Sequence, residues 1–165
     1  MSRQSTVTAR APRPEASAAA GAFQVVSDTL TVETDARFEI LDITDRVRDV
    51  VRRLGVTDGL LSLQSLHTTC SVLVNEAQSA LHADIRRFLD LVVDRDAEWL
   101  HNDPEHSDCD RCNADAHLRA LLLGPSVTLQ VSGGDIVLGQ WQRVLLVELD
   151  GPRARTVRLQ LMGVA

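Results

Sequence analysis

The sequence predicts an α+β fold: a single domain of largely antiparallel β-sheet layers with a few helices. Three observations lead there. Short stretches alternate apolar and polar residues, as Val127, Leu129 and Val131 do against Ser126, Thr128 and Gln130, which is the period of a half-buried strand. Other stretches carry apolar residues at i, i+3 and i+4, and these helices are interspersed among hairpin-like strands, without strict strand–helix alternation. The 165 residues, 44% of them hydrophobic, have the length of one domain with a real core.

Residues 1–21 are rich in Ala, Ser, Arg and Pro, lack apolar periodicity and read as a disordered N-terminal tail, which leaves 22–165 as the α+β domain. Leu30 and Val32, then Phe38 and Ile40, alternate with polar neighbours and predict two strands joined as a hairpin around Asp35 and Ala36. Thr44 is read as the cap of a helix with the stripe Val47, Val50, Val51 and Leu54, stopped by Gly55. A strand over 60–66 places Leu61, Leu63 and Ser65 on one face, which His67 continues; the next strand carries Cys70, Val72 and Val74 and reaches Asn75 and Glu76. A helix over 79–93 is expected to bury Leu81, Ile85, Phe88, Leu89 and Val92, with His82 off that stripe and given no role. After residue 124, Ser126–Val131 is a strand, Ser132–Asp135 a glycine turn with the return at Ile136, Val144–Leu149 a central strand, and 156–161 a half-exposed last strand beyond the Gly151-Pro152 break.

Between these elements, residues 101–124 gather His101, His106, His117, Cys109 and Cys112. Asn113 is read as the N-cap of a helix that Gly124 and Pro125 end, with Ala114, His117, Leu118, Leu121 and Leu122 on its buried stripe, so that His117 points inward. Asp115 and Arg119 are expected to form an ion pair on the solvated face.

Composition narrows the function classes. A net charge of −6 and only 3% aromatic residues argue against nucleic-acid or anionic-membrane partners. All seventeen basic residues are arginine, which excludes lysine Schiff-base chemistry and a P-loop lysine. Three cysteines do not suggest a secreted disulfide framework, no run is long enough to span a membrane, and a cytoplasmic location is expected. His67, His101 and His117 suit the three-ligand set of a catalytic zinc, although each also reads as a satisfied core histidine. Cys109 and Cys112, with His106 or His117, have a spacing compatible with structural zinc or with an ordinary exposed loop, and a redox pair ranks third because the thioredoxin-like strand–helix context is absent.

The blocks His67-Thr-Thr-Cys-Ser71, Val74-Asn-Glu76, His101, Asn113-Ala-Asp-Ala-His-Leu118, Leu122-Leu-Gly-Pro-Ser126, Leu138-Gly-Gln-Trp-Gln142 and Glu148-Leu-Asp-Gly-Pro152, in this order and spacing, resemble the YjbQ family. The resemblance covers nearly everything after the tail. It implies a small single-domain α+β protein, a homotrimer with its site close to a subunit boundary, and a secondary thiamine-phosphate synthase activity. That reaction joins hydroxymethylpyrimidine diphosphate to thiazole phosphate and releases pyrophosphate. The rivals are a non-catalytic metal- or anion-binding protein and a metal-assisted hydrolase.

Carried over on matching positions, the resemblance implies His67, His101 and His117 as metal ligands. Asn75, Glu76 and Asp115 are the catalytic polar groups, with Glu76 as general base. Arg119, Arg143 and Trp141 would contact a small phosphorylated molecule, and Arg111 is a further phosphate candidate. A divalent metal, zinc or magnesium, and no organic cofactor are expected. Two departures stand out: Gln140 replaces the family's usual threonine before Trp141-Gln142, and Cys109 and Cys112 fall in a loop that usually carries other polar residues. Cys70 follows His67 closely, but its strand position reads as a buried structural thiol. The apolar run Val144–Val147 beside the strand ending at Met162 is taken as sequence support for the trimer.

Overall fold

The computed structural model describes residues 21–165, so the expected tail lies, Gly21 apart, outside the described residues. The chain runs β1 (Phe23–Glu33), β2 (Glu39–Asp42), α1 (Thr44–Leu54), β3 (Asp58–Ser65), β4 (Cys70–Asn75), α2 (Ser79–Val92), a single 3-10 turn (Leu100–Asn102), α3 (Ala114–Leu123), β5 (Ser126–Ser132), β6 (Asp135–Ile136), β7 (Arg143–Glu148) and β8 (Ala154–Val164). The fold is α+β, and each strand pairing is antiparallel.

Two sheets form, one ordered β1-β8-β3-β5-β6 and the other β2-β7-β4. The expected hairpin around Asp35 and Ala36 does not exist: β1 pairs with β8 in the first sheet and β2 with β7 in the second. Alternation marks both segments as strands but is silent on their partners, and here the chain changes sheets between them. The glycine turn is as expected, with Gly133 and Gly134 both at positive φ closing the β5–β6 hairpin.

The main core lies between the sheets. Leu61, Leu63, Leu159 and Leu161 of the larger sheet meet Val72, Val144 and Leu146 of the smaller one, and α1 adds Val47, Val50 and Val51. Helix α1 ends at Gly55 in the left-handed region, as read, but its N-cap position is Ile43, and the Thr44 hydroxyl instead accepts the Val144 N–H at 2.9 Å. The opposite face of β2-β7-β4 carries Ile40, Leu73, Val147 and Leu149, covered by Leu89 of α2 and by Ala116 and Ala120 of α3. The Val144–Val147 run is thus fully buried within one chain, and it lies in a different sheet from β8. It therefore adds nothing to the trimer expectation.

The two outer helices depart most from the expected faces. On α2 only Leu89 is fully buried, while Phe88, Leu91 and Val92 are exposed. On α3 the expected stripe holds only at its start: Ala114 is buried and His117 and Leu118 are half-buried, but Leu121 and Leu122 are 78% and 54% exposed, whereas Asp115 and Arg119 are 2% and 7% exposed. Small Ala116 and Ala120 let α3 lie close on the sheet, and the charged pair turns inward because partners wait there. No helix among the described residues is long and apolar enough to cross a membrane.

Candidate functional site

Where β7 ends, the chain buries a chain of charges. Glu148, fully buried, pairs through both carboxylate oxygens with the guanidinium of Arg155, which also donates to the Thr69 hydroxyl at 3.1 Å. Thr34 Oγ1 and the backbone N–H groups of Leu149 and Asp150 also donate to Glu148, at 2.9, 2.8 and 2.8 Å. Burial of this order is tolerable only when such partners are complete. Burial works against the Arg155 charge, but the hydrogen bonds and field of Glu148 outweigh it and raise its pKa.

Two residues on, buried Asp150 accepts from Asn113 Nδ2 at 2.8 Å and meets Arg111, Arg37 and Arg153 at 3.1, 3.3 and 3.4 Å. Arg37 bridges onward to Asp115 at 3.2 Å. Asn113 therefore spends its side chain on Asp150 and not on its own helix. The first turn of α3 is capped by Asn102, whose Oδ1 accepts the Ala114 N–H at 3.0 Å.

That contact carries the 3-10 turn onto α3 and brings two of the expected histidines together. The His101 and His117 rings meet edge to face, with centroids 4.9 Å apart. They open on a cavity of about 300 Å³ whose other walls are Trp99, Leu100, Ala114 and Leu118. Burial, then the neighbouring His101, hold the His117 pKa below its ordinary 6.5 against the opposing pull of Asp150 and Asp115.

His67 does not join them. It is absent from the cavity lining, and its Nε2 accepts the Thr156 N–H at 2.8 Å. Its pKa is also lowered, by burial and by Arg155 against Glu148. Among the described residues no group of three or more His, Cys, Asp or Glu side chains could hold a metal ion, so the expected metal set does not form in this chain. Cys70 is buried, and burial pushes its thiol up to about 11, the structural thiol expected.

The remaining sequence-predicted residues scatter. Asn75 and Glu76 are exposed at the far end of β4, where Asn75 stands opposite Arg143. Trp141, two residues before Arg143, is 66% exposed, and Arg143 Nε lies 3.9 Å from Asp42. In the same pairing Cys70 stands opposite Glu148, so these residues and the buried charges occupy opposite ends of one strand pair, five residues or roughly 17 Å apart. Glu76 makes no side-chain contact with His101 or His117 in the lining of their cavity. Asp115 is inside, but salt-bridged. Arg119 is buried, with Nη1 2.9 Å from Asp90 and Nη2 donating to the Val93 carbonyl at 2.9 Å, so both Nη groups are committed within the chain, while its buried Nε has no hydrogen-bond partner among the described residues. Sequence reasoning missed Glu148, Asp150, Arg155 and Arg37; the Glu148-Leu-Asp150 block carried the signal, two acids at the end of an otherwise apolar strand.

Comparison with known proteins bears on the whole arrangement. A family model described as UPF0047 protein YjbQ-like matches residues 28–164. A UPF0047 protein of Methanothermobacter thermautotrophicus is 39% identical over 141 residues, 86% of this chain and 94% of the relative. One from Archaeoglobus fulgidus is 41% identical over 128 residues, 78% and 94% of the two chains. Among solved structures, a YbjQ-like protein of unknown function from Sulfolobus solfataricus superposes with a TM-score of 0.79 at 34% identity, covering 86% of this chain and 99% of that one. A hypothetical protein from Aeropyrum pernix gives 0.76 at 39%, covering 84% and 98%. These relatives are described only as family members, hypothetical or of unknown function, and none carries a thiamine-phosphate synthase description. With no metal-holding group among the described residues either, the thiamine-phosphate synthase expectation is corrected: neither the relatives nor the side-chain geometry supports it.

Proposed function

The chain belongs to the UPF0047 YjbQ-like family, and we propose that it binds a small molecule with an apolar body in the His101–His117 cavity, where His117 serves as proton acceptor. The observation that carries this is an imidazole pair set edge to face in otherwise apolar walls. About 300 Å³ is the lower end of the range for small-molecule sites, and a few convergent polar groups in an apolar cavity are what such sites use for orientation. A lowered pKa keeps His117 neutral at pH 7, so one ring nitrogen can take a proton from the ligand. Asp150 and Asp115 then stabilise the imidazolium that forms. Proton transfer of this kind is the enzymatic form of the reading.

The proposed assembly is a homotrimer. Phe88, Leu91, Leu121 and Leu122 leave the helical layer apolar toward the outside, and a second copy is the natural cover for it. In that assembly the sheet end bearing Asn75, Glu76, Trp141 and Arg143 supplies the boundary of the site from a neighbouring copy.

The test is a titration of phenol, an apolar ring with one donor, into the full chain, followed by NMR of the histidine ring protons. Saturable shifts of His101 and His117 are expected at pH 7, lost in His117→Ala and in Leu118→Trp, which fills the cavity. Shifts that never saturate, or that survive Leu118→Trp unchanged, would remove the proposal.

A further inference from the structure

The loop between the 3-10 turn and α3 carries the two thiols that the cavity does not use. We propose that Cys109 and Cys112 form a reversible dithiol–disulfide pair, closed by a small-molecule disulfide, that sets how firmly Arg111 holds Asp150.

The backbone places the pair. Asp110 and Arg111 form a turn, so Cys109 and Cys112 stand at its two ends. The ends of a four-residue turn lie within about 7 Å, Cα to Cα, which overlaps the roughly 4.4–6.8 Å that a disulfide spans. Both sulfurs are free thiols, Cys112 exposed and Cys109 half-buried, while the third cysteine, Cys70, is buried with its thiol pushed up to about 11. Their present contacts are weak ones. Cys109 donates to Asn113 Oδ1 at 3.7 Å and Cys112 to the Asn102 carbonyl at 4.0 Å, so closing the disulfide sacrifices little.

Those two contacts also show what the pair controls. Asn113 and Arg111 both hold Asp150, at 2.8 and 3.1 Å, and Asn102 caps α3 while lying next to His101. A closed disulfide fixes the turn that presents Arg111, while Asn113 keeps its Nδ2 bond to Asp150 and loses only the weak thiol contact at Oδ1. The His117 ring meets His101 from the 3-10 turn and feels the charges of Asp150, after β7, and of Asp115, on its own helix, and Asp150 is in turn paired with Arg37, Arg111 and Arg153.

The chemistry balances with the disulfide as oxidant. The Cys112 thiolate attacks one sulfur of the small-molecule disulfide and expels the other half as a thiol; the Cys109 thiolate then attacks the Cys112 sulfur and expels the second half. Two protein S–H bonds and the reagent's S–S bond give one protein S–S bond and two thiols, which carry the two protons and two electrons away.

The significance of the pair for the cavity rests on the proposed function, but its test needs no ligand. The full chain is treated with oxidised glutathione, its native-state thiols are counted with a thiol reagent, and the His117 midpoint is read by NMR in both redox states. Two reactive thiols before and none after, restored by dithiothreitol, are expected, with Cys70 silent throughout. The His117 midpoint should move down on oxidation, and should not respond to glutathione in the Cys109→Ser, Cys112→Ser protein. A stable mixed disulfide with glutathione and no ring closure would overturn the pair. Closure with an unmoved His117 midpoint would overturn the coupling. Failure of phenol to bind leaves both readouts intact and counts against the cavity reading only.

Discussion

The two ends of the β4–β7 strand pair are built from similar residues and treated in opposite ways. At one end Glu148, Asp150 and Arg155 are almost wholly buried, and each carboxylate is met by arginine and by hydrogen-bond donors. At the other, Asn75, Glu76 and Trp141 stand in solvent, and Asn75 Oδ1 accepts only the neighbouring Glu76 N–H. A buried charge is stable only with its counter-charge and hydrogen bonds in place, so the first end is committed to its own partners and the second is left to solvent. Charge content alone does not separate a structural polar core from a contact surface. Burial does.

The sharpest way to break the comparison is at Arg155. Arg155→Met leaves Glu148 buried without a counter-charge, and urea unfolding should show a loss of about 3–5 kcal/mol. Adding Glu148→Leu to it should restore much of that loss. Gly151 is the next lever: a Cβ there would lie 2.4 Å from the Ala36 carbonyl oxygen and 2.8 Å from Glu148 Cγ. Gly151→Ala must push the chain off the carboxylate, at a cost of roughly 1–3 kcal/mol in the same assay.

A smaller effect comes with pH. His67 and His117 both have folded pKa values below the ordinary 6.5, so the unfolded chain binds more protons than the folded one between the two values. Their contribution is intact above about pH 6.5 and is lost as pH falls through the lowered folded values. Unfolding midpoints should therefore drop on acidification across that window, and should drop less in His67→Gln, whose Nε2 no longer has a lone pair to be protonated against the Thr156 N–H. The smallest effect belongs to the exposed end. Asn75→Ala and Glu76→Ala should change single-chain stability by no more than about 0.5 kcal/mol. A larger loss under dissociating conditions would show that this end bears load within one chain.

The legible part of the site follows the same division. His117 could be named from its inward helical phase and His101 from the family blocks, and the two do meet. His67 was equally prominent in sequence, yet its ring is taken up by a backbone N–H of β8, a residue 89 positions away. Asp115 and Arg119 read as a surface pair at helical spacing, and the same spacing serves an inward pair once Arg37, Asp90 and Val93 are at hand to satisfy it.

By itself, the sequence determined the α+β class, the bounds of most strands and helices, the Gly133-Gly134 hairpin, the central position of β7 and the family. These depend on local periodicity and turn chemistry, which neighbouring residues encode. Only the tertiary structure decided that β1 and β2 belong to different sheets, that α3 turns Asp115 and Arg119 inward and Leu121 and Leu122 outward, that the acids at the end of β7 are buried against arginines, and that His101 and His117 meet. Each of those outcomes is a choice of partner among residues far apart in the chain. It is settled by which buried polar groups can all be satisfied at once, and no local pattern carries that information.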